Sequence, residues 1–256
     1  MRTGSELREP LNHYLKTLHL PTVRACYEQQ AERARKESWI HELYLLELME
    51  IECEERRQTR IARLLRASKL PLEKSLQAFD RKRLPRKVAA HLDALLEGSF
   101  LDRAENVLAF GNPGSGKTHL LCAIGQELIQ QGRQVLFTSS SLLVQDLLLA
   151  KRDLKLARML KRLHKYDALI IDDIGYVQQN REEMEVLFTF LSERYERKSL
   201  MITSNLVFSE WDKIFKDPVT TAAAIDRLVH HSIILELDGD SYRMQHAKTQ
   251  KKKGSK

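Results

Sequence analysis

Apolar residues recur every three or four positions in the first quarter of the chain, a spacing that predicts helices. Leu11, Leu15 and Leu18 share one helical face, and Pro21 ends that segment. Ser38 is a suitable N-cap for a longer helix after it. In that helix a second periodic series contains Ile40, Leu43, Leu46, Met49 and Cys53. We therefore expect a small all-helical domain over residues 1–68, with a role in binding DNA or a partner.

From Asn106 onward the pattern changes to short apolar runs that alternate with amphipathic segments. The runs "NVLAF", "QVLFTS", "DALIID", "SLMITSN" and "SIILELD" are typical of buried strands, and "THLLCAIGQELIQQG" and "EEMEVLFTFLSERYER" of helices. Apolar strands separated by helices predict an α/β fold whose mostly parallel sheet has helices on both faces. We assign this domain to residues 101–246. Residues 69–100, punctuated by Pro71 and Pro85, form a basic connector, and residues 247–256 a basic disordered tail.

The stretch "GNPGSGKT", Gly111 to Thr118, matches the phosphate-loop pattern in full and lies between a predicted strand and a predicted helix. Glycines let backbone N–H groups approach phosphate, and the following helix N-terminus favours an anion. Lys117 is expected to reach the β- and γ-phosphates, and the Thr118 hydroxyl to ligate Mg²⁺. The whole loop is the predicted nucleotide site: Gly111, Asn112, Pro113, Gly114, Ser115, Gly116, Lys117 and Thr118.

Two further strand ends supply polar groups. "ALIIDD" ends in Asp172 and Asp173, and "LMITSN" ends in Asn205. Ligands of open α/β sheets gather at the carboxyl ends of strands, so Asp172 is expected to hold Mg²⁺. Asp173 is the candidate that orients the attacking water, and Asn205 the candidate that contacts the γ-phosphate. ATP and Mg²⁺ are therefore the predicted cofactors, and ATP hydrolysis the predicted reaction.

Arg227, in "AAAIDRLVHHS", precedes the last strand on a predicted helix. An arginine can stabilise the charge on a transferred phosphoryl group, often from a neighbouring subunit. From the residues alone, an ordinary surface arginine is the simpler interpretation.

Composition adds a polyanionic partner. The chain has 256 residues, a net charge of +7 and a pI near 9.3, which favours DNA, RNA or an anionic membrane surface. Three scattered cysteines form no metal spacing and no even disulfide set, which is typical of the cytoplasm. No apolar run approaches the roughly 18 residues of a membrane-spanning helix. We expect a soluble cytoplasmic protein without a membrane partner.

Two basic segments are candidates for contact with DNA. "KRDLKLARMLKRLHK", residues 151–165, has seven basic residues and one acid. If the segment is one helix, a single face carries Lys151, Lys155, Arg158, Arg162 and Lys165. Between Arg56 and Lys69 there are six basic residues and no acid, with Arg56, Arg60 and Arg63 on one face. A solvated helix face is the alternative for both segments.

At this point the chain resembles the AAA+ superfamily in its initiator and helicase-loader branch, and more specifically the IstB-type ATPases of bacterial insertion sequences. The resemblance extends from about residue 10 to residue 246. It depends on "GNPGSGKTHL", "YDALIIDDIGY", "VLFTFLSERYERKS", "ITSNLVFSEW", "AAAIDRLVHHS" and "GDSYR", and on "ECEERRQTRIARLLRASKLPLEKSLQAFD" in the N-terminal part.

The resemblance implies an ATP-loaded protein that binds double-stranded DNA with weak sequence preference, assembles along it and recruits a transposase. Hydrolysis then follows contact with the transposase. It implies an AAA+ core without the usual C-terminal helical lid. It also implies that Lys117 and Thr118 form the first phosphate motif, Asp172 and Asp173 the second, Asn205 the sensor and Arg227 the arginine finger. The role of Arg243 in "GDSYR" stays open.

Two alternatives remain at this point. A loader of the replicative helicase shares the same ATPase motifs, so the motifs do not separate it from a transposition helper. A small-molecule kinase shares the phosphate loop, but it needs an acceptor pocket and a lid of arginines. The sequence shows no segment of that kind, and the adjacent Asp172 and Asp173 fit attack by water better than transfer of phosphate to a small-molecule acceptor.

Overall fold

The computed structural model describes residues 4–175, 180–207, 210–211 and 218–237. The chain divides into two compact units, residues 1–63 and 64–256. Each unit has its own apolar core, as described below. No helix in the described part of the chain is both long and apolar enough to cross a membrane.

The first unit is helical, as the periodicity predicts. It contains α1 (Gly4–Thr17), α2 (Pro21–Lys36) and most of α3 (His41–Ser68). Pro21 occupies the first turn of α2, where its missing N–H leaves no hydrogen bond unmade. A small core forms where Leu15, Val23 and Leu48 meet, one from each helix.

One detail of the predicted long helix is wrong. The helix begins at His41, and Ser38 lies outside it with φ of 53°, so Ser38 is not its N-cap. Of the periodic series, Met49 packs against the small core, whereas Ile40 and Leu46 are 66% and 53% exposed. Leu48, outside that series, is the buried apolar residue of that core from this segment. Periodicity identified the helix but not the face that packs.

A buried carboxylate caps the second helix of this unit. Leu20 offers no side-chain cap to α2, and Glu52 of α3 accepts the N–H groups of Thr22 and Val23 at 2.9 and 3.0 Å. Arg56 donates to the other Glu52 oxygen at 2.8 Å. Burial raises the pKa of Glu52, but the Arg56 and backbone hydrogen bonds outweigh it, so the net pKa is lowered. The anion at the N-terminus of α2 therefore stays charged and stabilises the three-helix arrangement.

The second unit alternates helices and strands. Before the sheet come the short helix η1 (Arg81–Arg83), α4 (Arg86–Glu97) and α5 (Ser99–Asp102). The strands are β1 (Asn106–Phe110), β2 (Val135–Ser139), β3 (Ala168–Ile174), β4 (Ser199–Ser204) and β5 (Ser232–Glu236). Between them lie α6 (Lys117–Gln130), α7 (Ser140–Arg152), α8 (Leu156–Leu163), α9 (Arg181–Arg194) and α10 (Pro218–Val229). The predicted strands and helices of this domain are confirmed to within a few residues.

The five strands form one parallel sheet in the order β2-β3-β4-β1-β5. Side chains of β3 alternate between its two faces. Leu169 and Ile171 belong to a core with residues of α7 and α9, whereas Ile170 lies towards α6, so close that a Cβ on Gly125 would stand 2.8 Å from its Cδ1. Helices thus cover both faces, and the predicted α/β architecture is confirmed.

The basic segment 151–165 is not the single helix expected from its spacing. Helix α7 ends at Arg152 and α8 begins at Leu156, and between them Leu154 has φ of 57° and is 94% exposed. A left-handed residue reverses the chain direction and ends helical spacing. The five cations predicted on one face therefore lie on two helices, in the turn between them and in the turn after α8.

Candidate nucleotide-binding site

The phosphate loop joins the end of β1 to the start of α6. Gly111, Gly114 and Gly116 all have positive φ, of 144°, 83° and 100°. At Gly111 a Cβ would stand 2.3 Å from the carbonyl oxygen of Leu237, so only glycine fits there. Such a loop points backbone N–H groups towards its concave side, ahead of a helix N-terminus.

Lys117 is buried at the start of α6, with 5% of its surface exposed. Its ammonium donates to the carbonyl oxygens of Gly111 and Asn112 at 2.8 and 2.9 Å, and to Oδ1 of Asn205 at 2.7 Å. The structure therefore brings the phosphate-loop lysine and the predicted sensor into direct contact across 88 residues of sequence.

Asp172 lies at the centre of a cluster of hydroxyl groups. Thr118 and Thr203 each donate to its Oδ1 at 2.7 Å. Mg²⁺ prefers oxygen ligands at about 2.0–2.1 Å in octahedral geometry, and adjacent ligands are then roughly 3 Å apart. The pair of oxygens from Thr118 and Asp172 fits this donor set. The hydroxyl of Ser115 is buried in the loop without a hydrogen-bond partner among the described residues, which fits a donor to a phosphate oxygen bound in the loop.

Asp173 has a backbone geometry that the sequence did not predict. Its φ is 57°, and the register between β3 and β4 shifts between Ile171 and Ile174. The Asp173 N–H donates to Oγ1 of Thr203 at 2.8 Å in place of a strand–strand hydrogen bond. β3 thus continues past both aspartates to Ile174 rather than ending at them. At the bulge Asp172 is half-buried and Asp173 is exposed.

Thr203 is the functional residue that sequence reasoning missed. It is fully buried on β4, where it holds both the Asp172 carboxylate and the Asp173 backbone. Its only signal in the sequence was its position two residues before Asn205, which places both on the same face of the strand.

The connector also reaches this site. His119 Nε2 lies 2.9 Å from the carbonyl oxygen of Ser75, and the Phe79 ring meets the His119 ring edge-on at 5.1 Å between centroids. A Cβ on Gly116 would stand 3.6 Å from Phe79. Gln126 donates to carbonyl oxygens of the same segment, among them that of Pro71 at 3.2 Å. This segment of the connector therefore packs directly on the phosphate loop and on the start of α6.

Cys122, one turn beyond Thr118 on α6, takes no nucleophilic role. Its side chain is buried, and this burial raises the pKa of the thiol to about 12. Only a thiolate is a strong nucleophile or metal ligand, so the group stays a neutral core residue at neutral pH.

Arg227 is not brought to the phosphate loop within this chain. Its guanidinium lies 4.7 Å from the centroid of the Phe188 ring and donates to the carbonyl oxygen of Ala223 at 2.9 Å. It is half-buried on the outer side of α9 and α10. The expected arginine-finger role of Arg227 stays a prediction. Arg243 and the tail lie outside the described residues, as does the region where a lid would follow.

The two basic segments have different surroundings. On α8, Met159, Leu160 and Leu163 pack on the core of the sheet, which leaves Arg158 and Arg162 on the exposed side. Within the described residues no carboxylate lies within 4 Å of either arginine. By contrast Lys151 pairs with Glu185 at 2.9 Å and Lys155 with Asp153 at 3.0 Å.

In the first unit Arg56, Arg60 and Arg63 line one groove of about 640 Å³. Lys16 and Arg24 add two more cations to its wall. Its carboxylates are Glu52 and Glu55, and Glu52 is already bound by α2 and Arg56. The groove therefore presents an excess of positive charge.

Comparison with known proteins agrees with this geometry. The chain matches the profile of the IstB-like ATP binding protein family over residues 13–250. A putative insertion sequence ATP-binding protein of Sinorhizobium fredii is 44% identical over 91% of this chain and 78% of its own length. The putative ATP-binding protein of insertion sequence IS5376 from Geobacillus stearothermophilus is 37% identical over 96% of this chain and 98% of its own length.

Solved structures share the fold at low sequence identity. DnaI has a TM-score of 0.55 at 22% identity, covering 66% of this chain and 95% of its own. AMPPCP-bound DnaA from Aquifex aeolicus has a TM-score of 0.55 at 18% identity, and the match covers 72% of this chain and 56% of the DnaA chain. These likenesses confirm the AAA+ fold. With the complete phosphate loop, the Thr118–Asp172 pair and the family match over almost its whole length, the chain belongs to the IstB-like ATP-binding protein family.

Proposed function

We propose that this protein is an ATP-dependent DNA-binding helper of transposition, which hydrolyses ATP as a switch. The observation that carries the proposal is the convergence of Lys117, Asp172 and Asn205 at the carboxyl ends of β1, β3 and β4. Mg²⁺ held by Thr118 and Asp172 would neutralise phosphate charge. Asp173, exposed at the bulge beside them, is the group that accepts a proton from water or orients it.

DNA is the proposed partner because two exposed basic surfaces lie outside the nucleotide site. The first surface consists of Arg158 and Arg162 on α8 and Lys165 in the turn after it. The second is the groove of the first unit with Arg56, Arg60 and Arg63. Contacts with phosphate give affinity with little dependence on base sequence. Weak sequence preference is what a protein that accepts many target sites needs.

Recruitment of a transposase is proposed from the kind of relative that this chain has. Its curated relatives are named as ATP-binding proteins of insertion sequences. A mobile element requires an enzyme that cuts and joins DNA, and the chain's motifs serve nucleotide hydrolysis instead. ATP binding would assemble copies of the chain on target DNA, and hydrolysis on contact with the transposase would release them.

The test combines nucleotide turnover with DNA binding. Purified protein should hydrolyse ATP only with Mg²⁺, faster with double-stranded DNA, and should bind duplex with ATP more tightly than with ADP. A pull-down with the transposase encoded beside it, compared with the replicative helicase, separates the helper from a helicase loader. Retention of the helicase alone, or DNA affinity independent of nucleotide, would refute the proposed role.

A further inference from the structure

Three side chains with metal-binding atoms meet at the edge of the sheet opposite the nucleotide site. Glu196 lies in the turn between α9 and β4, and His230 and His231 join α10 to β5. Oε1 of Glu196 is 3.5 Å from Nε2 of His231 and 3.9 Å from Nδ1 of His230. All three ligand atoms lie within 4.8 Å of one another. Because β4 and β5 both start here, this is the amino edge of the parallel sheet.

The backbone that carries these side chains is fixed by a buried residue. Asn106, 6% exposed, receives a hydrogen bond from the Leu200 N–H at 2.9 Å and donates its side-chain amide to the Leu228 carbonyl at 3.1 Å. Its own N–H donates to the His231 carbonyl at 2.7 Å. The beginning of β4, the end of α10 and the beginning of β5 are therefore held in one arrangement. A site on rigid elements loses little freedom when it binds a ligand.

The local charge favours a cation. His230 directly follows the last residue of α10, and its N–H donates to the Asp226 carbonyl at 2.9 Å, so the histidines lie at the negative end of that helix. Glu196 adds a full negative charge. The Tyr195 hydroxyl lies 3.0 Å from Nδ1 of His230, so this nitrogen binds a metal ion only when that hydrogen bond is released, and the freed hydroxyl can then bond to a metal-bound water.

We propose that Glu196, His230 and His231 form a binding site for a divalent transition-metal ion, with Zn²⁺ as the ion that fits best. Two imidazoles and one carboxylate are a donor set that suits Zn²⁺ and not Mg²⁺ or Ca²⁺, which take oxygen ligands. Ligand atoms of tetrahedral Zn²⁺ are about 3.4 Å apart. The two separations from Glu196, 3.5 and 3.9 Å, are close to this value, and all three ligand atoms lie within 4.8 Å of one another, so rotation of these exposed side chains can bring them to it. Water takes the fourth position, since all three side chains are about half exposed.

The ion would act on the helix that carries Arg227. Metal binding would join the α9–β4 turn to the end of α10, one turn beyond Arg227. The expected effect is to fix the position of that helix, whichever reaction the nucleotide site performs. This inference is therefore independent of the proposed ATPase activity and is tested without measuring turnover.

The experiment titrates chelator-treated full-length protein with ZnCl₂ by calorimetry and with Co²⁺ by absorption spectroscopy. We expect one equivalent of Zn²⁺ per chain, a tetrahedral Co²⁺ spectrum that Zn²⁺ abolishes, and a rise in thermal midpoint with Zn²⁺. His231→Asn and Glu196→Gln should each weaken binding by at least about 10-fold, because loss of a ligand costs no less than loss of a group that supports one. Both changes are at half-exposed positions, and circular dichroism together with retained ATP binding shows that the variants fold.

His164→Asn is the matched control, because His164 is exposed elsewhere on the same unit and its loss should leave the titration unchanged. Zn²⁺ binding with equal affinity to the wild type and to the His231→Asn and Glu196→Gln variants would mean adventitious binding by other histidines and would overturn the proposal. Absence of a one-to-one step in the wild type would overturn it equally.

Discussion

Asp172 and Asp173 are adjacent in sequence, yet the structure gives them different surroundings. Asp172 is half-buried and accepts hydrogen bonds from two hydroxyl groups, whereas Asp173 is exposed at a bulge where its φ is positive. The first arrangement suits a metal ligand and the second suits contact with water. The division of roles expected from the resemblance thus has a physical basis at the scale of single residues.

Replacing Asp173 by Asn should separate binding from hydrolysis. The amide keeps the shape of the side chain and accepts no proton, so we expect ATP and Mg²⁺ binding to persist while kcat falls by about 10²-fold or more. The variant should stay on DNA in the presence of ATP. Lys117→Ala is the comparison, because it removes a phosphate contact and should lose both nucleotide binding and DNA assembly. Turnover at the wild-type rate by Asp173→Asn would show that another group activates the water.

Thr203→Val should impair the metal site without touching nucleotide directly. The change keeps the shape and removes the hydroxyl, so the Asp173 N–H loses its Thr203 acceptor and Asp172 is less well oriented. Loss of such a supporting hydrogen bond commonly costs about 10–100-fold in metal affinity or activity, so the Mg²⁺ concentration for half-maximal turnover should rise. Thr203→Ser should restore it. Thr138→Val on β2 is the matched control, because the Thr138 hydroxyl donates to the carbonyl of its neighbour Ser139 at 3.2 Å and not to the nucleotide site. An equal effect of both valines would point to strand stability instead.

At the scale of elements, the turn at Leu154 decides which cations remain available. Lys151 and Lys155 have carboxylate partners, whereas Arg158 and Arg162 on α8 have none within 4 Å among the described residues. Buried Arg194 anchors this helix by donating to the Leu163 carbonyl at 3.0 Å. Its burial lowers the pKa of the guanidinium to about 9. α8 is thus a firmly attached helix with an unneutralised outer side.

Charge reversal at two arginines of α8 should weaken DNA binding more than the same reversal at Lys151 and Lys155. Arg158→Glu with Arg162→Glu changes the charge by the same amount as Lys151→Glu with Lys155→Glu. Each lost phosphate contact flattens the slope of log affinity against log salt by about 0.9. We expect the α8 pair to lose affinity about equally for all sequences, with ATP binding unchanged. If the Arg158→Glu/Arg162→Glu variant binds duplex DNA with the wild-type salt slope, the groove with Arg56, Arg60 and Arg63 becomes the leading candidate for the DNA-binding surface.

At the scale of the whole molecule, the proposed function predicts that catalytic groups come from more than one chain. Arg227 lies on Phe188 and donates to the Ala223 carbonyl, so as an arginine finger we expect it to act on the γ-phosphate of a neighbouring copy. Activity should then rise steeply with protein concentration.

Mixing variants tests this dependence. Arg227→Ala should lower kcat by about 10³-fold, the usual cost of a lost arginine finger. Mixed with Lys117→Ala protein it should recover part of the activity, because each copy provides the group that the other lacks. Arg197→Ala, an exposed arginine paired with Glu193, is the control and should be near wild type. No recovery in assemblies shown to contain both variants would make Arg227 a structural residue.

The sequence by itself determined the parts of this protein that depend on local spacing. Loop, strand and helix around "GNPGSGKT" follow from glycine positions and apolar period, and β1 runs from Asn106 to Phe110 as predicted. Parallel strands then had to bring their carboxyl ends, and so Lys117, Asp172 and Asn205, to one edge. These features need no knowledge of distant contacts.

Only the tertiary structure decided the features that depend on a partner far along the chain. The bulge at Asp173 exists because Thr203, 30 residues away, replaces a ladder hydrogen bond. Helix packing likewise decides the break at Leu154 and the burial of Leu48 while Leu46 stays exposed. The period of apolar residues along one helix carries no information about this packing. Glu196 likewise meets His230 and His231 only because Asn106 joins three elements at the start of the sheet. A spacing rule describes one element, and these contacts belong to several.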